Sequence, residues 1–148
     1  MLNAITFIHR ENNMTTEIQL SRELTTQLLH LAQISPDAEI CGLVSSQNNV
    51  PVRCYPIKNI AEQPHARFLL DPQQQISVMK QMRERGEELF AIYHSHPSAP
   101  ACPSAIDLEE TTYPEALMFI ISLNTKGILE LRAFQIANQH ATEVRITL

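Results

Sequence analysis

Residues 89–97 have the sequence Leu89-Phe90-Ala91-Ile92-Tyr93-His94-Ser95-His96-Pro97, an apolar run that ends in two histidines. The run predicts a buried strand at the centre of the fold. Residues two apart on a strand project to the same side, so the two imidazoles face one point at the end of that strand. Neutral imidazole is a common ligand for zinc and related divalent ions. The stretch therefore predicts a metal site at the end of a central strand.

A third ligand is available eleven residues after His96, where Asp107 closes the stretch Pro103-Ser104-Ala105-Ile106-Asp107. A loop of this length can return and place a carboxylate oxygen beside the histidines. The alternative is that Ser104 caps a short helix and Asp107 stabilises its first turn. The two interpretations are compatible, because a side chain near a helix start leans back toward the N-terminus. Two histidines and one aspartate leave the fourth position of a zinc ion open, as catalytic sites do.

Glu39 is the best candidate for the base that such a hydrolytic site needs. It begins an apolar stretch, 39–46, where a carboxylate does not contribute to packing. Near a metal, in a partly dry setting, its pKa would suit proton transfer. The alternative is a solvated acid at a strand edge. Cys41 and Cys102 are possible thiolate ligands, although a buried or spectator role is commoner for cysteine.

Other metal patterns do not match. A zinc deaminase would show His-x-Glu with Pro-Cys-x-x-Cys, and this sequence lacks that pair of motifs. It also lacks the helical His-Glu-x-x-His motif of metalloproteases. A closed structural zinc site needs a fourth protein ligand, for which only Cys41 or Cys102 is available. The ligand set therefore favours catalysis over a structural role.

Composition places the chain among globular proteins. The 148 residues are 44% hydrophobic and 18% charged, which is enough for one domain with a real core. The net charge of −5 and the lack of a Lys/Arg cluster argue against a nucleic-acid partner. No apolar run approaches membrane-spanning length, so no membrane partner is expected. The sequence makes no prediction of oligomeric state.

Domain organisation and location follow from the two ends of the chain and from its cysteines. Residues 1–13 are a possible N-terminal extension without a cleavable signal pattern, and residues 14–148 form a single predicted domain. Three cysteines with no Cys-x-x-Cys pair argue against a disulfide framework. We therefore expect a cytoplasmic protein.

The periodicity of apolar residues predicts an α+β or mixed α/β fold, with a curved sheet covered by helices. Predicted strands are 15–20, 39–46, 50–57, 88–93, 116–123, 127–136 and 142–148, with a short extended piece at 67–70. Predicted helices run from the Ser21 cap to about 34, from the Asp71 cap to about 85, and from 104 to about 111. Gly86 is expected to end the second helix, whose apolar face would be Ile76, Met79 and Met82. Residues 124–127 are expected to form a hairpin turn.

Together these motifs resemble the JAMM (MPN+) metalloprotease signature, which is a Glu, then His-x-His-Pro, then Ser-x-x-Asp. Glu39, followed by Cys41-Gly42-Leu43, and then His94, His96, Ser104 and Asp107 fill all five signature positions. Asn59 and the stretch 68–72 also resemble small stand-alone prokaryotic members. The resemblance covers roughly residues 14–123, and the remaining strands are compatible with the same fold.

The resemblance implies an MPN-type fold, in which a curved mixed sheet packs between helices. It implies one zinc ion per chain, bound by His94, His96 and Asp107 with water as the fourth ligand. Glu39 would be the general acid/base that activates this water, and Ser104 would donate a hydrogen bond to the developing oxyanion. The reaction would be hydrolysis of a peptide or isopeptide bond at the C-terminal Gly-Gly tail of a ubiquitin-like or sulfur-carrier protein.

Two alternatives stay open at this point. One is a catalytically inactive MPN module that serves only as a binding scaffold, although such modules typically lack one or more ligands. The other is a deubiquitinase-type isopeptidase, although those members carry insertions for which this chain has little room. The loop 98–102 also departs from the charged or glycine-bearing version that the family suggests. It makes one wall of the cleft more apolar, and Cys102 in it would make activity sensitive to oxidation.

Overall fold

The computed structural model describes residues 17–110, 113–124 and 129–148. The elements in these ranges are β1 (Glu17–Gln19), α1 (Arg22–Gln33), β2 (Cys41–Gln47), β3 (Val50–Ile57), α2 (Pro72–Glu84), β4 (Glu88–His96), α3 (Ala105–Glu109), β5 (Leu117–Ser122), β6 (Glu130–Ala137) and β7 (His140–Thr147). Their order matches the predicted one. The predicted extension 1–13 and most of the predicted hairpin turn at 124–127 lie outside the described residues.

The strands form one mixed sheet in the order β1-β7-β6-β5-β4-β2-β3. β4 pairs with β2 in antiparallel orientation and with β5 in parallel orientation. A parallel pair needs a crossover connection, and here that connection carries α3. The strand that ends in the two histidines is therefore internal, and the helix that carries Asp107 lies in the connection that follows it.

Helices cover both faces of the sheet, as the mixed fold class predicted. Neighbouring positions on a strand project to opposite faces, and the core divides accordingly. On one face Leu24 and Leu28 of α1 pack with Val44 and Phe119. On the other face, α2 packs on β2 and β3, and Leu108 of α3 packs on β5 and β6. The predicted fold class is confirmed.

Local signals in the sequence account for the helix ends. Ser21 accepts a hydrogen bond from the Leu24 N–H at 3.1 Å and caps α1. Asp71 accepts one from the Gln73 N–H at 3.1 Å and caps α2, whose first residue is a proline. Gly86 follows α2 with φ of +70°, a left-handed conformation that glycine adopts without strain. The predicted caps and stop are confirmed.

The predicted face of α2 is wrong in part. The helix buries Val78 and Met82 against Leu43 and Ile57, whereas Ile76 is 70% exposed. Residues four apart share a helix face, and residues two apart lie on opposite sides. Contact through Val78 therefore turns Ile76 toward solvent.

Two strand boundaries differ from prediction at the positions that matter for function. β4 extends through His96 instead of ending at residue 93, because β5 pairs with it as far as Ser122 opposite His96. β2 begins at Cys41, two residues after the predicted start. The N–H of Glu39 donates to the carbonyl of Pro64 at 2.7 Å and not to a neighbouring strand. Glu39 therefore lies outside the sheet, just before β2 begins.

None of the helices in the described ranges has the length and hydropathy to cross a membrane.

Candidate active site

Three predicted ligand atoms converge at the end of β4. His94 Nε2 and His96 Nε2 are 3.1 Å apart, and Asp107 Oδ2 lies 3.1 Å from the first and 3.2 Å from the second. All three residues are buried. β4 supplies both histidines on one face, and α3 returns the aspartate to the same point. The structure thus brings together the three residues that the sequence singled out.

The separations fit a metal ion. Zinc bonds nitrogen and oxygen ligands at about 2.0–2.1 Å, and tetrahedral geometry then places ligand atoms about 3.3 Å apart. The three observed distances lie within about 0.3 Å of that value. The donor set of two imidazoles and a carboxylate also matches the chemistry of zinc. The site therefore fits a single zinc ion.

The surroundings of the two histidines fix their rings in different ways. The Nδ1–H of His96 donates to the carbonyl of Pro100 at 2.8 Å, which leaves the Nε2 lone pair facing the site. The ring of Phe68 stacks on His94, with centroids 4.4 Å apart. The Nδ1 of His94 is buried without a hydrogen-bond partner among the described residues. One ring is therefore held by a hydrogen bond and the other by packing.

Ser104 and Asp107 satisfy both interpretations of their motif. The Ser104 N–H donates to Asp107 Oδ2 at 2.9 Å, and the Asp107 N–H donates to Ser104 Oγ at 3.0 Å. This reciprocal capping box starts α3 and aims the carboxylate at the histidines. The Ser104 hydroxyl is an acceptor in this box, so its own hydrogen is free to donate elsewhere. Its predicted role toward an oxyanion stays a prediction.

Electrostatics in the metal-free cluster shift the pKa values of the three groups in different directions. Burial opposes ionisation of Asp107, but its close contacts with the Nε2 atoms of His94 and His96 outweigh burial and hold the pKa of this carboxyl well below its usual range. Burial lowers the pKa of His94, which favours its neutral imidazole. Burial also acts to lower the pKa of His96, but the hydrogen bonds with Asp107 and Pro100 raise it above the usual value.

Glu39 lies beside this cluster. A Glu39 carboxylate oxygen and one ring nitrogen of each histidine all lie within 4.8 Å of one another. Cys41, two residues after Glu39, is paired with His94, which brings the start of β2 to the end of β4 where the histidines lie. Burial raises the pKa of Glu39 to about 7, with attraction to His96 lowering it and the Asp107 charge raising it. A carboxyl with this pKa can both accept and release a proton near neutral pH.

The cysteines do not join the site. Cys41 is buried, and its Sγ donates to the carbonyl of Ile57 at 3.3 Å. Burial raises the pKa of its thiol to about 12, and a thiol in this form is a poor metal ligand. Cys102 is exposed, and Cys54 is buried in the core. All three are free, in agreement with the predicted lack of a disulfide framework.

An apolar cavity of about 370 Å³ opens next to Asp107. It lies between the segment 68–70, α3 and the start of β5, and Leu69, Ile106 and Ile136 are among its lining residues. An ion pair between Arg67 and Glu110 joins this segment to the end of α3. The cavity adjoins the histidine cluster, because Asp107 and Phe68, which stacks on His94, line it as well.

The sequence did not indicate some of the contacts that support the site, although Asn59 and Phe68 lie in stretches that resemble small family members. The Pro100 carbonyl orients His96 through its main chain, which any residue could supply. Phe68 stands 26 residues before His94, a separation that no local pattern relates. Asn59 and Ser95 contact the main chain of residues 39 and 40.

Comparison with known proteins decides the family. A family model described as prokaryotic homologs of the JAB domain matches residues 21–137. The chain belongs to this family. The JAMM/MPN resemblance of the sequence is thereby confirmed over most of the chain.

Two proteins similar to this JAB-domain chain carry the names of enzymes. The CysO-cysteine peptidase of Mycobacterium tuberculosis is 30% identical over 81% of this chain and 82% of its own length. The desampylase of Haloferax volcanii is 30% identical over 59% of this chain. That alignment spans 64% of the desampylase, slightly less than two thirds of its length.

Solved structures agree on the fold. Protein DSY2949 from Desulfitobacterium hafniense has a TM-score of 0.78 at 30% identity, covering 88% of this chain and 91% of that protein. AF2198 from Archaeoglobus fulgidus, a JAB1/MPN domain protein, has a TM-score of 0.59 at 18% identity, covering 89% of this chain and 99% of that one. The second likeness concerns the fold alone, and it confirms the predicted MPN-type architecture.

Proposed function

We propose that this chain is a zinc-dependent metallopeptidase that cleaves the C-terminal Gly-Gly tail of a ubiquitin-like or sulfur-carrier protein at a peptide or isopeptide bond. The observation that carries the proposal is the convergence of His94, His96 and Asp107, with Glu39 beside them. The peptidase name of the mycobacterial relative supports hydrolysis of a peptide-like bond.

Each residue has a defined task in this reaction. His94, His96 and Asp107 would hold the zinc ion. Bound zinc supplies Lewis acidity and lowers the pKa of water, which makes hydrolysis possible at neutral pH. Glu39 accepts a proton from the attacking water at its carboxylate and delivers it to the leaving nitrogen. The Ser104 hydroxyl donates a hydrogen bond to the oxygen on which negative charge develops.

The apolar cavity beside Asp107 supports a peptide substrate. Its walls, which include Leu69 and Ile106, are exposed enough to be reached from solvent. A slender glycine tail brings the scissile bond to the zinc site, and residues before the tail contact the cavity. We also place the activity in the cytoplasm, which the three free cysteines support.

A metal and cleavage assay tests the proposal. Zinc content is measured in wild type and in His96→Ala, with His140→Ala as a matched control because His140 is exposed and distant in sequence. We expect near-stoichiometric zinc in wild type and in the control, and none in His96→Ala. Cleavage of a Gly-Gly-tailed sulfur-carrier fusion should stop with chelator and in Glu39→Ala. A wild type that cannot be loaded with zinc would overturn the zinc site, and zinc-loaded protein that leaves this fusion and a ubiquitin fusion intact would overturn the activity.

A further inference from the structure

The main-chain groups of Glu39 and Ile40 make four hydrogen bonds to three residues, which are Pro64, Asn59 and Ser95. The N–H of Glu39 donates to the Pro64 carbonyl at 2.7 Å, and its carbonyl accepts from Asn59 Nδ2 at 3.0 Å. The N–H of Ile40 donates to Ser95 Oγ at 2.8 Å, and its carbonyl accepts from the Ser95 N–H at 3.0 Å. Both peptide units that flank the Glu39 side chain are therefore fixed.

Ser95 replaces one bond of the sheet ladder with its hydroxyl. The last regular pair between β2 and β4 is Cys41 with His94, so the next pair would be Ile40 with Ser95. Opposed residues of an antiparallel pair commonly exchange two main-chain hydrogen bonds. Here the second bond runs from the Ile40 N–H to the Ser95 hydroxyl. The chain leaves the ladder at this point, and Glu39 is the first residue beyond it.

Asn59 joins Glu39 to the segment that follows β3. Its Nδ2 donates to the carbonyls of Glu39 and Arg67 at 3.0 and 3.1 Å. Its Oδ1 accepts from the N–H groups of Ala61 and Leu69, both at 3.0 Å. The amide uses its full set of two donors and two acceptor sites. An asparagine with this geometry is a fixed connector, because no other rotamer keeps all four bonds.

The carboxylate itself has less support than its main chain. Glu39 Oε1 is buried without a hydrogen-bond partner within the described ranges. No salt bridge of a described residue involves Glu39 either. The location of the carboxylate beside His94 and His96 therefore depends on the position of the Glu39 main chain, from which the side chain extends.

We propose that Ser95 and Asn59 are positioning residues that set the location of the Glu39 carboxylate relative to His94 and His96. Ser95 fixes the residue after Glu39 to the strand of the ligands themselves. Asn59, in the segment that follows β3, fixes the carbonyl of Glu39 itself. The catalytic consequence rests on the proposed function, whereas the geometric consequence does not. A misplacement of about 1 Å in a catalytic group can cost about 100-fold in rate.

Removal of the Ser95 hydroxyl is the first test. We expect kcat of Ser95→Ala on the Gly-Gly fusion to fall roughly 10- to 100-fold, with KM within about twofold and zinc content near one per chain. Ser95→Thr keeps a hydroxyl and should recover most of the lost rate. Ser46→Ala is the matched control, because Ser46 is equally buried in β2 and its Oγ has no hydrogen-bond partner in the described part of the chain. Its kcat should equal that of wild type.

A second measurement needs no turnover. In Ser95→Ala the Ile40 amide should exchange with solvent at least tenfold faster, while the Ile92 amide in the middle of β4 keeps its protection. The carboxyl carbon resonance of Glu39 should shift in this variant and return toward its wild-type value in Ser95→Thr. A serine that only stabilised the fold would change protection across the sheet and leave the Glu39 resonance in place.

Asn59→Asp tests the positioning role of Asn59. It also serves in place of Ser95→Ala if that variant does not fold. It keeps the shape and both acceptor bonds, but it removes the two donors, including the one to Glu39. We expect a loss in kcat of about tenfold or more at unchanged KM. Asn48→Asp adds the same charge in the exposed turn between β2 and β3 and should leave kcat unchanged.

The outcomes separate this inference from the proposed function. Wild-type kcat in Ser95→Ala and Asn59→Asp, or a loss that appears only in KM, overturns the positioning role. A wild type that cleaves nothing overturns the proposed function, and the Glu39 resonance then decides the inference. If that resonance is the same in Ser95→Ala as in wild type, the inference is wrong.

Discussion

The ring of Phe68 lies 4.4 Å from the ring of His94, nearly parallel to it at an interplanar angle of 21°. This contact holds His94, whose buried Nδ1 has no hydrogen-bond partner among the described residues, whereas His96 is held through its Nδ1. A metal-binding histidine usually donates this second N–H to an oxygen that orients the ring. At His94, aromatic packing takes over the orienting role.

Loss of this stacking should therefore weaken zinc binding. We expect Phe68→Ala to raise the dissociation constant for zinc about tenfold, the lower end of the range for lost orienting partners. Phe68→Tyr keeps the ring and should bind zinc as wild type does. Competition with a chromogenic chelator measures both constants. Leu69→Ala, one residue further along the same segment, controls for general loosening, and an equal loss of affinity there would contradict the stacking role.

The raised pKa of Glu39 predicts how the stability of the metal-free protein varies with pH. The folded-state pKa of about 7 exceeds the ordinary value of 4.5, so the unfolded chain releases this proton first. Between about pH 4.5 and 7 the unfolded state binds fewer protons, and stability falls as pH rises. Glu39→Gln removes this penalty.

We therefore expect Glu39→Gln to be more stable than wild type by about 1–3 kcal/mol at pH 8, and by far less at pH 5. Urea unfolding in the presence of chelator at the two pH values measures the difference. Glu115→Gln, at an exposed acid, should show no such pH dependence. Equal stability of Glu39→Gln and wild type at pH 8 would contradict the burial of a charged carboxylate.

The sequence predicted the parts of this site that depend on local pattern and short spacing. His94 and His96 alternate on one strand, and Ser104 and Asp107 form a local capping box, so their directions follow from neighbouring residues. Glu39 is different, because its approach to the histidines spans 55 residues and depends on how β2 pairs with β4. Its place at the start of an apolar stretch made it a candidate base, and the family signature supported that prediction, but neither showed how it reaches the histidines.

The contacts that the sequence did not reveal are made by main-chain groups or across long separations. Asn59 was noted for its family resemblance, but its partner and that of Ser95 are a main-chain carbonyl and N–H, which every residue carries and which leave no compositional trace. The face of α2 was misjudged because four apolar residues in this helix allow two different stripes. Only packing on Leu43 and Ile57 selects the stripe that contains Val78. Tertiary contact decides such cases, since local periodicity is degenerate there.

Ser104 is predicted to have two separable tasks, capping α3 and donating to the oxyanion. Ser104→Ala removes both, and we expect a stability loss of about 1 kcal/mol together with a fall in kcat of about 100-fold. Glycine is a nearly adequate cap, so Ser104→Gly should cost only a few tenths of a kcal/mol, yet it should lose the same rate. Thermal unfolding and steady-state kinetics on the Gly-Gly fusion measure the two effects. Wild-type kcat in Ser104→Gly would leave Ser104 with the capping task alone.

The cavity beside Asp107 should contribute to substrate affinity through apolar contact. Ile106 lines it and is 38% exposed, so its side chain is available to a bound peptide. Burying a side chain of this size against a ligand contributes about 1–2 kcal/mol, and Ile106→Ser should lower kcat/KM about tenfold, mainly through KM. Zinc content and kcat should stay near wild-type values, because Ile106 holds none of the reacting groups. Ile34→Ser makes the same change at a residue that is 64% exposed near the end of α1, and it should leave KM unchanged. If Ile106→Ser cleaves the fusion with the KM of wild type, the substrate does not occupy this cavity.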